Sequence, residues 1–223
     1  MNMLALNTAF NTVAVSLMKQ NELAANYYAV CKKRGEQLIF QVLENLLNNA
    51  QMALPQIDCY VVVQGPGSYT GIRIGMAVAK TLAQIHQTPM IGINSLQLLA
   101  ALATPLHAPF YVLLNCTRSE VFYAQFQFES QKPVPLTDIR LTTLEALWDS
   151  LHDQPVVLQR LAPAKGTSSP LFEQLSLHPL QYPIADAYAL LQLGRDAYDH
   201  YQGHFPIVHP IYLKKDVVGS EKA

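Results

Sequence analysis

The sequence predicts an α/β protein made of two similar units, and two observations lead to this prediction. Short apolar and β-branched runs, typical of strands, alternate with longer segments whose apolar residues recur at helical spacing. The order of these segments (three strands, a helix, a strand and a helix) occurs twice along the 223 residues. A chain of this length is long enough for one large domain or for two small ones that share a core.

The first unit opens with a predicted three-stranded meander. Strands are expected over Met3–Ala9, Thr12–Met18 and Glu22–Val30, which are short apolar runs or runs of strand character separated by tight turns. Arg34–Ala50 changes to helical spacing with polar residues opposite, which predicts an amphipathic helix. A continuous β-branched run bounded by glycine predicts a buried strand at Asp58–Gln64. The unit then continues with a helix over Gly71–His86, a strand over Met90–Ile93 and a helix over Ser95–Ala103.

The second unit follows a linker near Thr104–Pro109, where two prolines punctuate the chain. A helix is predicted over Thr142–Leu151, with Thr142 as its N-cap and Glu145 completing a capping box. The other predicted elements are strands over Phe110–Asn115, Val121–Phe128, Val134–Arg140 and Val156–Leu158, a helical turn or two within Ser168–Ser176, and a helix over Ile184–Tyr201.

A short internal match supports the repeat. Leu6-Asn7 and Val13 align without gaps with Leu114-Asn115 and Val121. We therefore expect two copies of a ribonuclease-H-like βββαβα unit, over residues 1–104 and 105–223, with residues 206–223 packing back on the first unit.

Composition and charge exclude several classes of protein. Half of the residues are hydrophobic and the net charge is only −1, which argues against disorder. The apolar stretches are interrupted, as at Lys80 and His86, well short of the ~20 residues that a membrane helix needs. The amino-terminal residues carry no secretion signal and the three cysteines are scattered, so we expect a reduced cytoplasmic protein. Without a basic stripe, any tRNA or DNA would be held mainly by another subunit.

The most informative segment ends the buried strand and opens the next helix. It reads Gly65-Pro66-Gly67-Ser68-Tyr69-Thr70-Gly71-Ile72-Arg73-Ile74-Gly75. Free backbone N–H groups and the helix dipole favour an anion at such a place. The segment is not a P-loop, and Thr70 replaces the third glycine of a dinucleotide fingerprint. The residues alone leave two equal alternatives, a phosphate cradle that includes Arg73 and a purely structural turn.

The helix after this loop carries a stripe of small side chains, which recur every four residues from Gly71 to Ala83. This spacing lets another helix approach closely, and the helix is apolar almost all round. Packing onto the chain's own sheet is the alternative, but we expect a partner helix from another subunit, so that Ala79→Glu should abolish pairing and spare the fold. The predicted interface consists of Leu38, Val42, Leu46, Gly71, Ile72, Gly75, Met76, Ala79 and Ala83.

The motif at 65–75 closely resembles Gly-Pro-Gly-Ser-Phe-Thr-Gly-Leu-Arg-Ile-Gly, the signature of the TsaB (YeaZ) family. The resemblance extends to Leu4–Leu17, Ile91–Leu96, Glu120–Tyr123 and Pro210–Lys214. It implies an actin-like, Hsp70-like (ASKHA) fold. It also implies a non-catalytic role beside the paralogue TsaD in forming threonylcarbamoyladenosine at position 37 of tRNAs that read codons starting with A.

The resemblance implies partners as well. The chain would pair with TsaD through a bundle of helices from the two N-terminal domains, and would form a homodimer when alone. The ATPase TsaE would join the complex, and tRNA would be reached through TsaD. No cofactor is expected in the chain itself, and ATP or ADP is expected only within the complex.

Several departures from related proteins argue against chemistry in this chain. Ser95 and Leu99 stand where TsaD-like relatives hold a metal with His-x-x-x-His, and neither side chain replaces an imidazole. Asn7 and Asn115 stand where actin-like folds commonly place acids. No Asp or Glu occurs from Cys59 through Ser119, so the glycine loop offers no carboxylate as a base or metal ligand. We expect no catalytic residue and no metal.

Other readings stay open beside this one. His200 and His204 have metal-ligand spacing, but Gly203 and Pro206 indicate that the helix ends between them. An actin-like nucleotide-dependent kinase, hydrolase or glycoprotease-type peptidase would use the 65–75 loop, although Ser68 lacks a hydrolase nucleophile elbow. A third alternative is a homodimer whose glycine loop binds a small anion for regulation.

Overall fold

The computed structural model describes residues 1–31, 35–117, 119–161, 170–178 and 187–212. The first half contains β1 (Met3–Asn7), β2 (Thr12–Lys19), β3 (Glu22–Val30), α1 (Gly35–Ala50), a 3-10 turn at Leu54–Gln56, β4 (Cys59–Gly65), α2 (Tyr69–His86), β5 (Met90–Asn94) and α3 (Ser95–Ala101). The second half contains β6 (Phe110–Asn115), β7 (Glu120–Glu129), β8 (Lys132–Pro135), β9 (Arg140–Thr143), α4 (Leu144–Leu151), β10 (Val156–Arg160), a 3-10 turn at Pro170–Glu173 and α5 (Ala187–Tyr201). Of the predicted segments, Arg34, residues 168–169, residues 184–186 and residues 213–223 of the predicted tail lie outside the described residues.

The first half forms a five-stranded mixed sheet in the order β3-β2-β1-β4-β5. β1, β4 and β5 are parallel, while β2 is antiparallel to both of its neighbours. The crossovers through α1 and α2 run in the same direction across the sheet, so right-handed connections place both helices on one face. Val62 points to α2 near Gly75, whereas Val61 points to the opposite face, where α5 packs at Gly194.

The second half repeats this topology with a shorter sheet. Its strands follow the order β10-β6-β7-β8, and β10 is parallel to β6. Val156 makes a further parallel bridge to Leu177, where the first sheet has its fifth strand. The predicted α/β fold with two units of related topology is therefore confirmed.

The predicted continuous strand over Val134–Arg140 is wrong, because the chain forms β8 and β9 instead, and both pair with β7. The Leu136 N–H still donates to the Gln125 carbonyl at 2.8 Å, but the Gln125 N–H donates to the Thr137 hydroxyl at 2.9 Å. A side chain thus replaces the backbone partner, and the strand is interrupted there.

The predicted capping box of α4 is displaced by one residue. Thr143, not Thr142, is the N-cap, and its hydroxyl accepts from the Ala146 N–H at 3.2 Å. Thr142 pairs with Val121 instead, since strand pairing continues further than the sequence pattern indicates.

The last helix of each half packs on the sheet of the other half. α5 contacts all five strands of the first sheet, and α3 contacts β6, β7, β8 and β10 of the second. The main hydrophobic cluster therefore runs through both halves, although the linker near Thr104 separates their topologies. A smaller cluster lies under α4 and consists of Leu113, Val121, Leu144, Leu147, Leu151, Val156 and Phe172. None of the described helices has the length and hydropathy of a membrane span.

Candidate functional site

The glycine loop packs on the turn between β1 and β2. Ser68 caps α2, which begins two residues earlier than predicted. The backbone N–H of Ser68 donates to the Ala9 carbonyl at 2.8 Å. A Cβ at Gly67 would lie 2.7 Å from the Ala9 oxygen, and one at Gly71 would overlap the Thr8 carbonyl. These two glycines therefore let the start of α2 approach the turn, which accounts for them without a ligand. The phosphate cradle stays a prediction.

Arg73 is held by aromatic side chains at the start of α2. Its guanidinium carbon lies 3.8 Å from the centre of the Tyr69 ring, and its Nε donates to the Tyr212 hydroxyl at 3.2 Å. This hydrogen bond raises the pKa of Arg73 above its usual range. The predicted anion ligand is thus engaged with the C-terminal part of the described chain.

The stripe of small residues faces the chain's own sheet. Ile72, Gly75, Met76, Ala79 and Ala83 are all buried, and a Cβ at Gly75 would overlap the Thr8 hydroxyl. On α1, Val42 and Leu46 are buried as well, and Leu38 is half-buried. The expectation that these buried side chains form an exposed docking face is corrected. Small-residue spacing identifies a closely packed face, but it does not indicate whether the neighbour belongs to the same chain.

α2 has a second face with apolar residues, which is separate from the buried stripe. We call the residues Ile74, Ala77, Thr81 and Ile85, which recur at intervals of three and four, the outer seam. Ile74 is half-buried, the other three are exposed, and Ile85 is 65% exposed. On α1, which packs on β2 and β3 of the same sheet, Phe40 is 61% exposed. Sequence reasoning missed these residues because the buried stripe gives the stronger small-residue pattern in the same helix.

The two helices differ in charge. α2 contains Arg73 and Lys80 but no Asp or Glu, whereas α1 contains Glu36 and Glu44 but no Lys or Arg. A partner that covered both helices would therefore need charges that match one basic and one acidic helix.

Comparisons with known proteins identify the family of this chain. A family model described as "TsaD: tRNA N6-adenosine threonylcarbamoyltransferase" matches residues 24–186. The "tRNA threonylcarbamoyladenosine biosynthesis protein TsaB" of Bacillus subtilis is 31% identical over 161 residues, which cover 70% of this chain and 69% of that protein. The protein of the same description from Escherichia coli is 30% identical over 129 residues, covering 57% of this chain and 55% of that protein. The chain belongs to the TsaB branch of this family.

A solved structure extends the match along the whole fold. The structure of YeaZ from Pseudomonas aeruginosa has a TM-score of 0.75 and 22% sequence identity, and the match covers 95% of this chain and 99% of that one. The TsaB-family fold thus covers both halves, whereas the alignment with the Escherichia coli relative spans about half of its length.

The asparagines that depart from the actin-like pattern have structural partners in this TsaB-family chain. Asn7 is fully buried at the end of β1, and its Oδ1 accepts from the Ala9 N–H at 3.1 Å. Asn115 occupies the equivalent end of β6 and donates from Nδ2 to the Thr117 carbonyl. Both amides therefore shape the turn that follows the first strand of their unit.

The positions at which TsaD-like relatives hold a metal carry no imidazole in this chain. Ser95 and Leu99 are both buried on α3, and within the described ranges no three His, Cys, Asp or Glu side chains form a group that could hold a metal ion. α5 ends at Tyr201, and Gly203 follows with φ +88°, so His200 and His204 lie on either side of the helix end, as predicted. Burial raises the pKa of the Cys59 thiol to about 12, which makes it a poor nucleophile at neutral pH.

Proposed function

We propose that this chain is the non-catalytic partner of the transferase TsaD in forming threonylcarbamoyladenosine at position 37 of tRNAs that read codons starting with A. The observation that carries the proposal is the 31% identity with the Bacillus subtilis protein, whose description names this biosynthesis. The substrate tRNA would place the chain in the cytoplasm.

The contact with TsaD would be made by helices. The outer seam and Phe40 lie on the helical layer that covers one face of the first sheet, and an exposed apolar patch of this kind is typical of a protein interface. TsaD would bury the patch and reach the tRNA itself, since this chain has a net charge of −1 and no basic stripe. TsaE would join the resulting pair.

A supporting rather than catalytic role agrees with the chemistry of the site. The chain has no carboxylate from Cys59 through Ser119, and the amides of Asn7 and Asn115 are occupied in turns. A general base or a magnesium ligand beside the glycine loop would have to come from another part of the complex.

A dropout assay tests the role. TsaC, TsaD, TsaE, ATP, threonine, bicarbonate and tRNA are combined with or without this chain, and threonylcarbamoyladenosine is quantified by mass spectrometry. We expect the modification only when the chain and TsaD are both present, and none from the chain without TsaD. Full modification in its absence would refute the proposal.

The interface is tested with Ala77→Glu, which puts a carboxylate in the middle of the outer seam. Ala77 is exposed, so the free energy of unfolding should change by no more than about 0.5 kcal/mol. Desolvating an unpaired charge against TsaD should cost about 3 kcal/mol, or roughly 100-fold in Kd by calorimetry. Ala146→Glu is the matched control, because Ala146 is an exposed alanine on α4 of the other half. Equal affinity of the two variants would remove the seam from the interface.

A further inference from the structure

The chain that follows α5 returns to the first half and packs on β4 and β5. We call residues Phe205–Tyr212 the C-terminal segment. The Ile211 N–H donates to the Gln64 carbonyl at 2.7 Å. A Cβ at Gly65 would lie 2.8 Å from the Ile211 oxygen, and one at Gly92 would lie 2.5 Å from the Val208 side chain. Glycines in β4 and β5 therefore make room for this segment.

Both ends of the segment are fixed by aromatic contacts. The ring of Phe205 lies 5.1 Å from that of Tyr198 on α5. At the other end Tyr212 lies 5.2 Å from Tyr69 and accepts the hydrogen bond of Arg73. Residues of the signature motif thus hold the C-terminal segment beside α2.

A groove of about 350 Å³ lies between the segment and the second half of α2. Ala83, Met90 and residues 205–208 supply an apolar lining, and Lys80 and Gln84 line its α2 side. Ile207 in this lining is 81% exposed. The groove adjoins the outer seam, because Lys80 and Gln84 follow Ala77 and Thr81 at intervals of three, a spacing that makes helix side chains neighbours.

Charge indicates what would occupy the groove. Lys80 has no ion pair with any residue that the structure describes, and α2 carries no acid that could neutralise it. A carboxylate that pairs with Lys80 would therefore have to come from another chain, on an apolar segment that fits the lining of the groove.

We propose that the TsaD partner docks jointly on α2 and on the C-terminal segment, placing in this groove an apolar stretch with a carboxylate opposite Lys80. This inference rests on the proposed function and extends the partner surface beyond the helices. Ile207 is the apolar anchor, and Arg73 positions the segment through Tyr212.

The test measures the affinity of TsaD for the full chain carrying Ile207→Asp or Lys80→Glu. Each variant should raise Kd at least 10-fold with an unchanged circular dichroism spectrum, since both side chains are exposed. The matched controls are Leu136→Asp and Arg140→Glu, which change exposed side chains in the second half and should bind like the unaltered chain. Light scattering of the free variants reports self-association in parallel.

The outcomes separate this inference from the proposed function. If the unaltered chain binds TsaD and both variants bind equally well, the joint surface is wrong and the proposed function stands. Variants that change only the mass of the free chain would assign the groove to a second copy and overturn the inference. No binding of TsaD by the unaltered chain would refute both.

Discussion

The two halves of the molecule share a strand order but differ in the element that follows the strand parallel to their first strand, which is β4 in one half and β10 in the other. In the first half this element is α2, with 18 residues, whereas the described residues of the second half contain a 3-10 turn of four residues, Pro170–Glu173. α2 presents the outer seam to solvent, while the turn buries Phe172 in the small cluster under α4. The comparison teaches that a repeated topology does not repeat its surfaces, and that the candidate partner surface belongs to the first half.

The largest expected effect distinguishes the two faces of α2. Ala79 is fully buried, so Ala79→Glu should destabilise the fold by about 4 kcal/mol or more, because an unpaired carboxylate is taken out of water. This replaces the sequence-based expectation that the variant loses only its partner. Ala77→Glu, two residues away on the exposed face, is the matched control and should unfold at the temperature of the unaltered chain. Equal melting temperatures in circular dichroism would contradict the assignment of the faces.

A smaller effect is expected in the second half. Phe172→Ala should cost about 3 kcal/mol, because it empties part of the small cluster under α4. The loss should remain local, since the main cluster on the other side of this sheet is untouched. Hydrogen exchange should therefore accelerate in α4 and β10 and stay unchanged in α2. An equal acceleration in both halves would mean that the two clusters unfold as one unit.

The smallest effect concerns the cap of α4. Thr143→Ala should cost about 1 kcal/mol, because it removes the hydroxyl that accepts from the Ala146 N–H. Thr142→Ala removes the same atoms one residue earlier, in a strand, and should cost less than half as much in urea denaturation. A larger loss of unfolding free energy for Thr142→Ala would indicate that Thr142 is the N-cap, as predicted from the sequence.

Local patterns were sufficient for most of the elements. β3 and β6 match their predicted bounds, because alternating or continuous apolar runs end there at turn residues. The break between β8 and β9 was missed, since it depends on the Thr137 hydroxyl meeting the N–H of Gln125, twelve residues away. The motif at 65–75 identifies the family from its residues alone, without any tertiary contact.

Residue types and their spacing along the chain are enough to predict the repeated α/β units, the family and the segment that joins β4 to α2. The exposed face of α2 and the contacts of Arg73 depend instead on how the folded chain packs. Helical periodicity defines faces but not their neighbours, and the neighbours here are distant in sequence: Thr8 beneath Gly75, and Tyr212 beside Arg73. Such contacts arise when the chain folds back on itself, and they place the small-residue stripe in the core and Arg73 against the C-terminal segment.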